Sequence, residues 1–322
     1  MGRPPEVGMT GERRQRMIND GIVDLGSAWS SHKTNEILEM ANRLYEGKDL
    51  EAHFAGEIES FDGNVWAWVQ ARIRAGDFQG INVGDFIRFV AGGHTVVAEI
   101  AGINTYRRGG LPEIGNHVDF ISRDCWHETV KWNLANFNNG IATMTCPYLT
   151  SNVHAFINSL QMDVPNDTVA DPATIVVDYR GGGILSRLPA ELKDAIVPKA
   201  TVIEHRYMRG VLLEDSNSWD RHEIGPLWLP SEIEIFGSAR WGTVTSGNQG
   251  RSQACSVQYP LFALNLTRSI KGDGRGRPRT YWWLRTVYGG LPRRAAIVGH
   301  DGRATNNNTT MNLFVPVCFR IA

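Results

Sequence analysis

The segment Tyr281-Trp282-Trp283-Leu284-Arg285 constrains the fold of this chain more than any other five residues. It is aromatic and β-favouring, and in a strand neighbouring side chains leave on opposite faces. Two adjacent tryptophans therefore need cover on both sides of one sheet. Either one Trp fills the core while the other packs under a loop or forms an interface, where a large ring with one polar handle is favoured, or both are buried between two layers. Both alternatives call for an aromatic-anchored fold. The composition supplies it, with 10 Trp, 12 Phe and 8 Tyr in 322 residues and 34 Gly for tight turns.

Charge and hydrophobicity narrow the class further. Hydrophobic residues make up 42% and charged residues 21%, and Lys+Arg 33 against Asp+Glu 34 leaves a formal net charge of -1. Disorder and generic polyanion binding are both disfavoured, so no nucleic-acid partner is expected. The length suits two compact domains, or one large domain with an appendage. No apolar run reaches the roughly 18 residues that span a bilayer. Met1 to Asp20 lacks the apolar centre of a signal peptide, so a soluble chain made in a cytoplasm, without membrane insertion, is expected.

Periodicity divides the chain at about residue 61. Between Asn35 and Tyr45 the apolar residues Ile37, Met40, Leu44 and Tyr45 fall on one helical face, and Gly47 ends the pattern. So narrow a stripe cannot support its own core, so residues 1–60 are expected to form a helical docking arm that holds the protein in an assembly. Residues 61–322 read as one domain. A helix is expected over Asn64 to Ala75, stopped by Gly76. A hairpin follows, Phe86 to Ala91 and Thr95 to Ile103, joined at Gly92-Gly93. His117 to Ser122 reads as a strand, Ser151 caps a second helix, and Pro189 opens a third that stops before Pro198. Gln161 to Leu188, between those helices, reads as a long loop. Ser231 and Gly237 bound a short helical turn. Aromatic strands are expected over Thr201 to Met208, Thr280 to Val287, Ala295 to His300 and Leu313 to Ile321. Without a βαβ rhythm, the expected class is α+β.

An ordered series of segments carries a resemblance. It runs through Leu227-Trp228-Leu229-Pro230-Ser231-Glu232, Phe236-Gly237, Tyr281 to Arg285, Ala295-Ala296-Ile297-Val298 with Gly302, and Val315 to Ile321. The series resembles a C-type-lectin-like module of unassigned function found in tailed-phage virion proteins and in surface proteins of Gram-positive bacteria. Members close with a Trp-Trp-Leu-Arg-Ser strand, a Gly/Asn-rich loop and a strand containing Val-Arg-Pro. Here Thr286 stands where Ser is usual, and Pro316-Val317 replaces the Arg-Pro pair. The resemblance covers about residues 80–322 and leaves the arm outside it. It implies a C-type-lectin-like domain of short twisted strands with two or three helices.

Catalytic motifs are sparse. Gly272-Asp273-Gly274-Arg275-Gly276 lacks the strand, the helix and the Lys-Ser/Thr ending of a phosphate loop. Cys125, Cys146, Cys255 and Cys318 form no C-x-x-C pair and are expected as buried thiols, with no cofactor. The nine histidines include no H-x-x-x-H, and His94, His205 and His300 are expected to be satisfied or exposed, with no metal. Two surfaces remain. Arg268, Lys271, Arg275, Arg277 and Arg279 suit contact with an anionic partner, such as a neighbouring virion protein or a cell-wall polyanion. The stretch Asp301 to Asn312, with Arg303, Thr305, Asn306, Asn307, Asn308 and Asn312, reads as a polar loop between strands, suited to sugars or protein backbone.

The resemblance and these surfaces together imply a non-enzymatic phage virion protein, homo-oligomeric and docked on capsid or tail proteins, that binds a host-surface glycan or protein or decorates the particle. A formylglycine-generating-type enzyme on a related fold is the alternative, and it would need paired cysteines or copper ligands. A bacterial surface adhesin is a third reading.

Overall fold

The computed structural model describes residues 45–107, 114–242 and 257–322. The chain divides into two compact units, Met1–Glu46 and Gly47–Ala322. Of the arm residues, Ile37, Met40 and Leu44 lie outside the described residues, and Tyr45 is 43% exposed. The second unit opens with α1 (Leu50–His53) and α2 (Ala55–Ile58), whose Leu50 and Ile58 are buried in its core.

The longest described helix, α3 (Val65–Ala75), has both ends written in its sequence. The Asn64 carboxamide accepts from the Trp66 and Ala67 amides at 3.0 Å. At the other end Gly76 takes the left-handed conformation, φ 68°, in which its amide reaches Ile73 O. The face between them buries Trp66, Val69 and Ile73. A hairpin follows, β1 (Phe86–Ala91) and β2 (His94–Ile103), turning at Gly92-Gly93, and then β3 (Val118–Cys125). These strands form an antiparallel sheet in the order β1-β2-β3-β14-β7, with β7 (Ile196–Val197) at one edge and β14 (Pro316–Ile321) beside β3. The sheet curls into a half-barrel. Trp66 meets Phe89, Phe120 and Phe319 edge-on at 5.6 to 5.9 Å, locking α3 onto its inner face.

The remaining elements are short. β4 (Val130–Lys131) pairs with β13 (Asn312–Leu313), and β5 (Gln161–Pro165) pairs with β6 (Thr174–Asp178). β8 (Ala200–His205) pairs with β9 (Ser218–Glu223). β10 (Trp282–Val287), β11 (Arg294–Val298) and β12 (Ala304–Asn308) form a separate three-stranded sheet. Helices α4 (Asn152–Ile157), α5 (Ala190–Ala195), α6 (Glu232–Phe236) and α7 (Pro260–Leu264) each run only 5 or 6 residues.

The α+β lectin-like expectation is therefore corrected: the described residues are mostly β, 31% strand and 20% helix, built as one curled sheet with several small ones. Two misread segments account for much of the difference. Gln161 to Leu188, expected as a loop, contains the β5–β6 hairpin, and part of the Asn-rich stretch after Asp301 is β12. Asn has low strand propensity, but a full backbone ladder to β11 outweighs it.

Both tryptophans of β10 are fully buried, 0% exposed. Trp282 Nε1 donates to Ser269 O and Trp283 Nε1 to Val130 O, each at 2.9 Å. The two-layer alternative holds, and neither ring is half-wet. A buried ionic network stiffens the adjoining core. Arg320 grips Asp119 through two bonds of 2.7 and 2.9 Å, and Glu234 accepts from Lys199 at 2.6 Å and also from Arg285 and Tyr106. Tyr259 links the halves, donating to Asp119 at 3.0 Å and accepting from Lys199 at 2.8 Å. Burial depresses the Lys199 ammonium to about 8 although Glu234 and Asp119 oppose the shift. All of these side chains are buried, which makes the network framework rather than a surface site.

Candidate functional site

Two glycine turns close on one three-residue segment and make a cleft. Leaving β3, the chain runs through Cys125-Trp126-His127. Against it packs Gly92, in the left-handed region at φ 57°, where a Cβ would lie 2.9 Å from the Trp126 ring and 3.0 Å from His127. From the other side comes Gly274, φ 68°, where a Cβ would lie 2.5 Å from Cys125 O. Only glycine fits either place without displacement. The glycines that look like a phosphate loop thus serve close packing.

The cleft encloses roughly 410 Å³. Trp126, the stacked imidazoles of His94 and His127, and Arg277 line it. The two rings lie 3.8 Å apart at 26°. His127 is 8% exposed, and its Nδ1 has no hydrogen-bond partner among the described residues. Burial, with the His94 ring beside it, lowers the His127 pKa. Asp273 organises the opposite wall by accepting from the Arg275 and Arg277 amides at 2.8 and 3.0 Å. Its burial works to raise its pKa, but those two amides and the arginine charges outweigh it and hold the carboxyl below its usual range. Arg275, Arg277 and Arg279 project into solvent from this loop.

The expected basic cluster is thereby split. Arg268 turns inward to Glu99 at 2.6 Å, and Lys271 is fully buried, donating to the Ser122 and Arg123 carbonyls. Lys271 cannot reach a partner surface, and Arg268 is half-buried with its guanidinium held by Glu99. Buried carbonyls and a buried carboxylate inside the domain take up their donors instead.

The second expected surface is dispersed as well. Asp301 and Arg303 pair with each other at a turn, Nε to Oδ2 3.5 Å. Thr305, Asn306, Asn307 and Asn308 lie in β12, so Thr305 and Asn307 face opposite to Asn306 and Asn308. Asn306 accepts from Arg294 at 2.8 Å, and Asn312 belongs to β13. None of these residues lines the cleft. The residues that do line it carry little sequence signal, since nothing local ties His94 to His127. The Gly-Gly turn before His94 is the one clue.

Cysteine outcomes are partial. Cys125, Cys146 and Cys318 are buried thiols, and Cys255 lies outside the described residues. Among the described residues, Cys146, His205 and His222 bring ligand atoms within 4.8 Å of one another. This group escapes a search for local histidine spacing because 59 residues separate Cys146 from His205.

Residues 122–322 match the model of a family described as Domain of unknown function (DUF6273). The match takes in Trp126, His127 and the arginine loop, whereas His94 precedes it. Comparison with curated proteins found no match, and comparison with solved structures found none. With well over half of its residues matched, the chain belongs to the DUF6273 family.

Proposed function

We propose that this chain is a non-enzymatic binding module of a tailed-phage virion. Residues 1–46, which precede the core-forming segment that starts at Gly47, dock it, as a homo-oligomer, on capsid or tail proteins. The cleft beside His94 and His127 then takes an anionic group of the host surface. The observation that supports a ligand here is His127 Nδ1, a buried ring nitrogen without a partner among the described residues, in a cleft that the exposed Arg277 also lines. Leaving such an atom unpaired costs about 1–3 kcal/mol, which a bound group can offset. A phosphodiester or carboxylate fits, because guanidinium groups grip either one bidentately. The one thiol in the lining, Cys125, is buried, and that burial pushes its pKa far up, so the cleft suits binding rather than covalent chemistry. The virion assignment rests on the resemblance carried by the Tyr281 to Arg285 segment and its neighbours.

The test is binding of the full chain to anionic cell-wall polymer prepared from Gram-positive bacteria. Replacing Arg275, Arg277 and Arg279 together by Ala should weaken binding about ten-fold or more, at an unchanged melting temperature. Equal binding by the wild type and the triple variant would remove the cleft from the host-contact reading.

A further inference from the structure

A second cluster lies on the β8–β9 hairpin. In this pairing His205 stands opposite Ser218 and His222 opposite Thr201, so His205, Asp220 and His222 share one face. Cys146 arrives from the loop before α4. That loop is fastened to the end of β8 by the Arg206 amide, which donates to Thr145 O at 2.9 Å. His205 Nε2 lies 3.1 Å from His222 Nε2 and 3.5 Å from Asp220 Oδ2. Cys146 Sγ lies 3.6 Å from each ring nitrogen of His205.

We propose that Cys146, His205 and His222, with Asp220 as the fourth donor, form a binding site for one divalent transition-metal ion, zinc by its donor chemistry. A thiolate, two imidazoles and a carboxylate are the ligand types zinc takes tetrahedrally, and they suit neither calcium nor magnesium. At metal–ligand bonds of about 2.0–2.3 Å, tetrahedral ligand atoms stand roughly 3.3–3.7 Å apart, close to the 3.1, 3.5 and 3.6 Å that separate His205 Nε2 from His222, Asp220 and Cys146. Asp220 lies outside the group whose ligand atoms are all within 4.8 Å of one another, so its exposed side chain rotates to complete the set. The sulfur, equidistant from both nitrogens, faces the His205 ring rather than a lone pair. Coordination therefore turns the Cys146 side chain or the imidazole.

The surroundings already orient one ligand. Thr145 Oγ1 lies 2.6 Å from His205 Nδ1, and a hydrogen bond there leaves Nε2 as the coordinating nitrogen. Cys146 is fully buried, while the histidines are half-buried and Asp220 is exposed, so the site is rooted in the domain and open at its rim. Burial, then the Asp220 and Glu204 carboxylates, push the Cys146 thiol up to about 12. Without an ion the cluster thus carries a neutral thiol. On binding, a metal–sulfur bond forms and the thiol proton passes to water.

The experiment titrates the chelator-treated, dialysed full chain with zinc chloride by calorimetry, and with cobalt(II) by absorption spectroscopy. One ion per chain is expected, with a thiolate-to-cobalt charge-transfer band. Cys146→Ser should abolish that band, and His222→Ala should weaken binding about a hundred-fold, while His53→Ala, at an exposed position on α1, binds as the wild type does. Asp220→Asn, at an exposed position, provides a folded variant and should weaken binding and shift the cobalt spectrum. Absence of a bound ion in the wild type overturns the proposal. So does undiminished binding in the His222 and Asp220 variants.

Discussion

His154 shows how one buried residue makes stability depend on pH. It is 7% exposed on α4, and its Nε2 lies 3.2 Å from Ile224 O. Burial lowers its pKa to about 4 against the Ile224 contact, which raises it. In the unfolded chain the ring titrates near about 6.5. Between those values the unfolded state holds the extra proton, so stability falls as pH drops through that window, by up to about 3 kcal/mol. His117, also lowered by burial, adds to the fall. Denaturant unfolding at pH 6.5 and pH 4.5 should show a clearly smaller loss for His154→Gln than for the wild type. Equal losses would mean that the ring takes up its proton inside the fold. His154, His127 and His205 are alike in sequence as lone histidines. One bonds a backbone carbonyl through Nε2, one lines a cleft, and one faces a thiol. Their surroundings come from segments tens of residues away, which residue type cannot reveal.

Among the elements, β10 carries the sharpest consequence. Each of its tryptophans fills a separate layer and uses its N–H on a different carbonyl, Ser269 O or Val130 O. Trp282→Ala and Trp283→Ala should therefore each cost ~3–5 kcal/mol in equilibrium unfolding, since each opens a cavity and leaves a buried carbonyl short of a donor. A large loss at one position and a small loss at the other would restore a half-exposed ring. β12 teaches the opposite lesson. Its Ala304–Asn308 sequence is polar, and only the ladder to Arg294–Val298 makes it a strand. Elements with local signals were legible: α3 between Asn64 and Gly76, the turn at Gly92-Gly93, and the Ser231 cap and Gly237 stop of α6.

For the whole molecule, the division at Gly47 makes truncation informative. Leu50, at 0% exposure, and Ile58 belong to the main core, so residues 47–60 support the fold. Removing residues 1–46 should leave a cooperative transition close to that of the full chain. Removing residues 1–60 should lower the melting temperature markedly, because two buried aliphatic side chains are lost at about 2–5 kcal/mol each. Calorimetry of both truncations decides the matter, and equal melting temperatures would mean that residues 47–60 add nothing to the core.

By itself the sequence determined what acts over a few residues: helix caps, glycine turns, the aromatic content of the core, and the need to cover both faces of Tyr281 to Arg285. Caps and turns are settled by bonds between near neighbours, so residue type and spacing suffice. The tertiary structure alone decided that the described residues are mostly β and that β12 is a strand. It also turned Arg268 and Lys271 inward, and it set His94 against His127 and Cys146 against His205 and His222. Those outcomes depend on which distant segments share a sheet and which charges find partners inside it. Pairing and burial of that kind are won by the assembled core, and no local period in the chain encodes them.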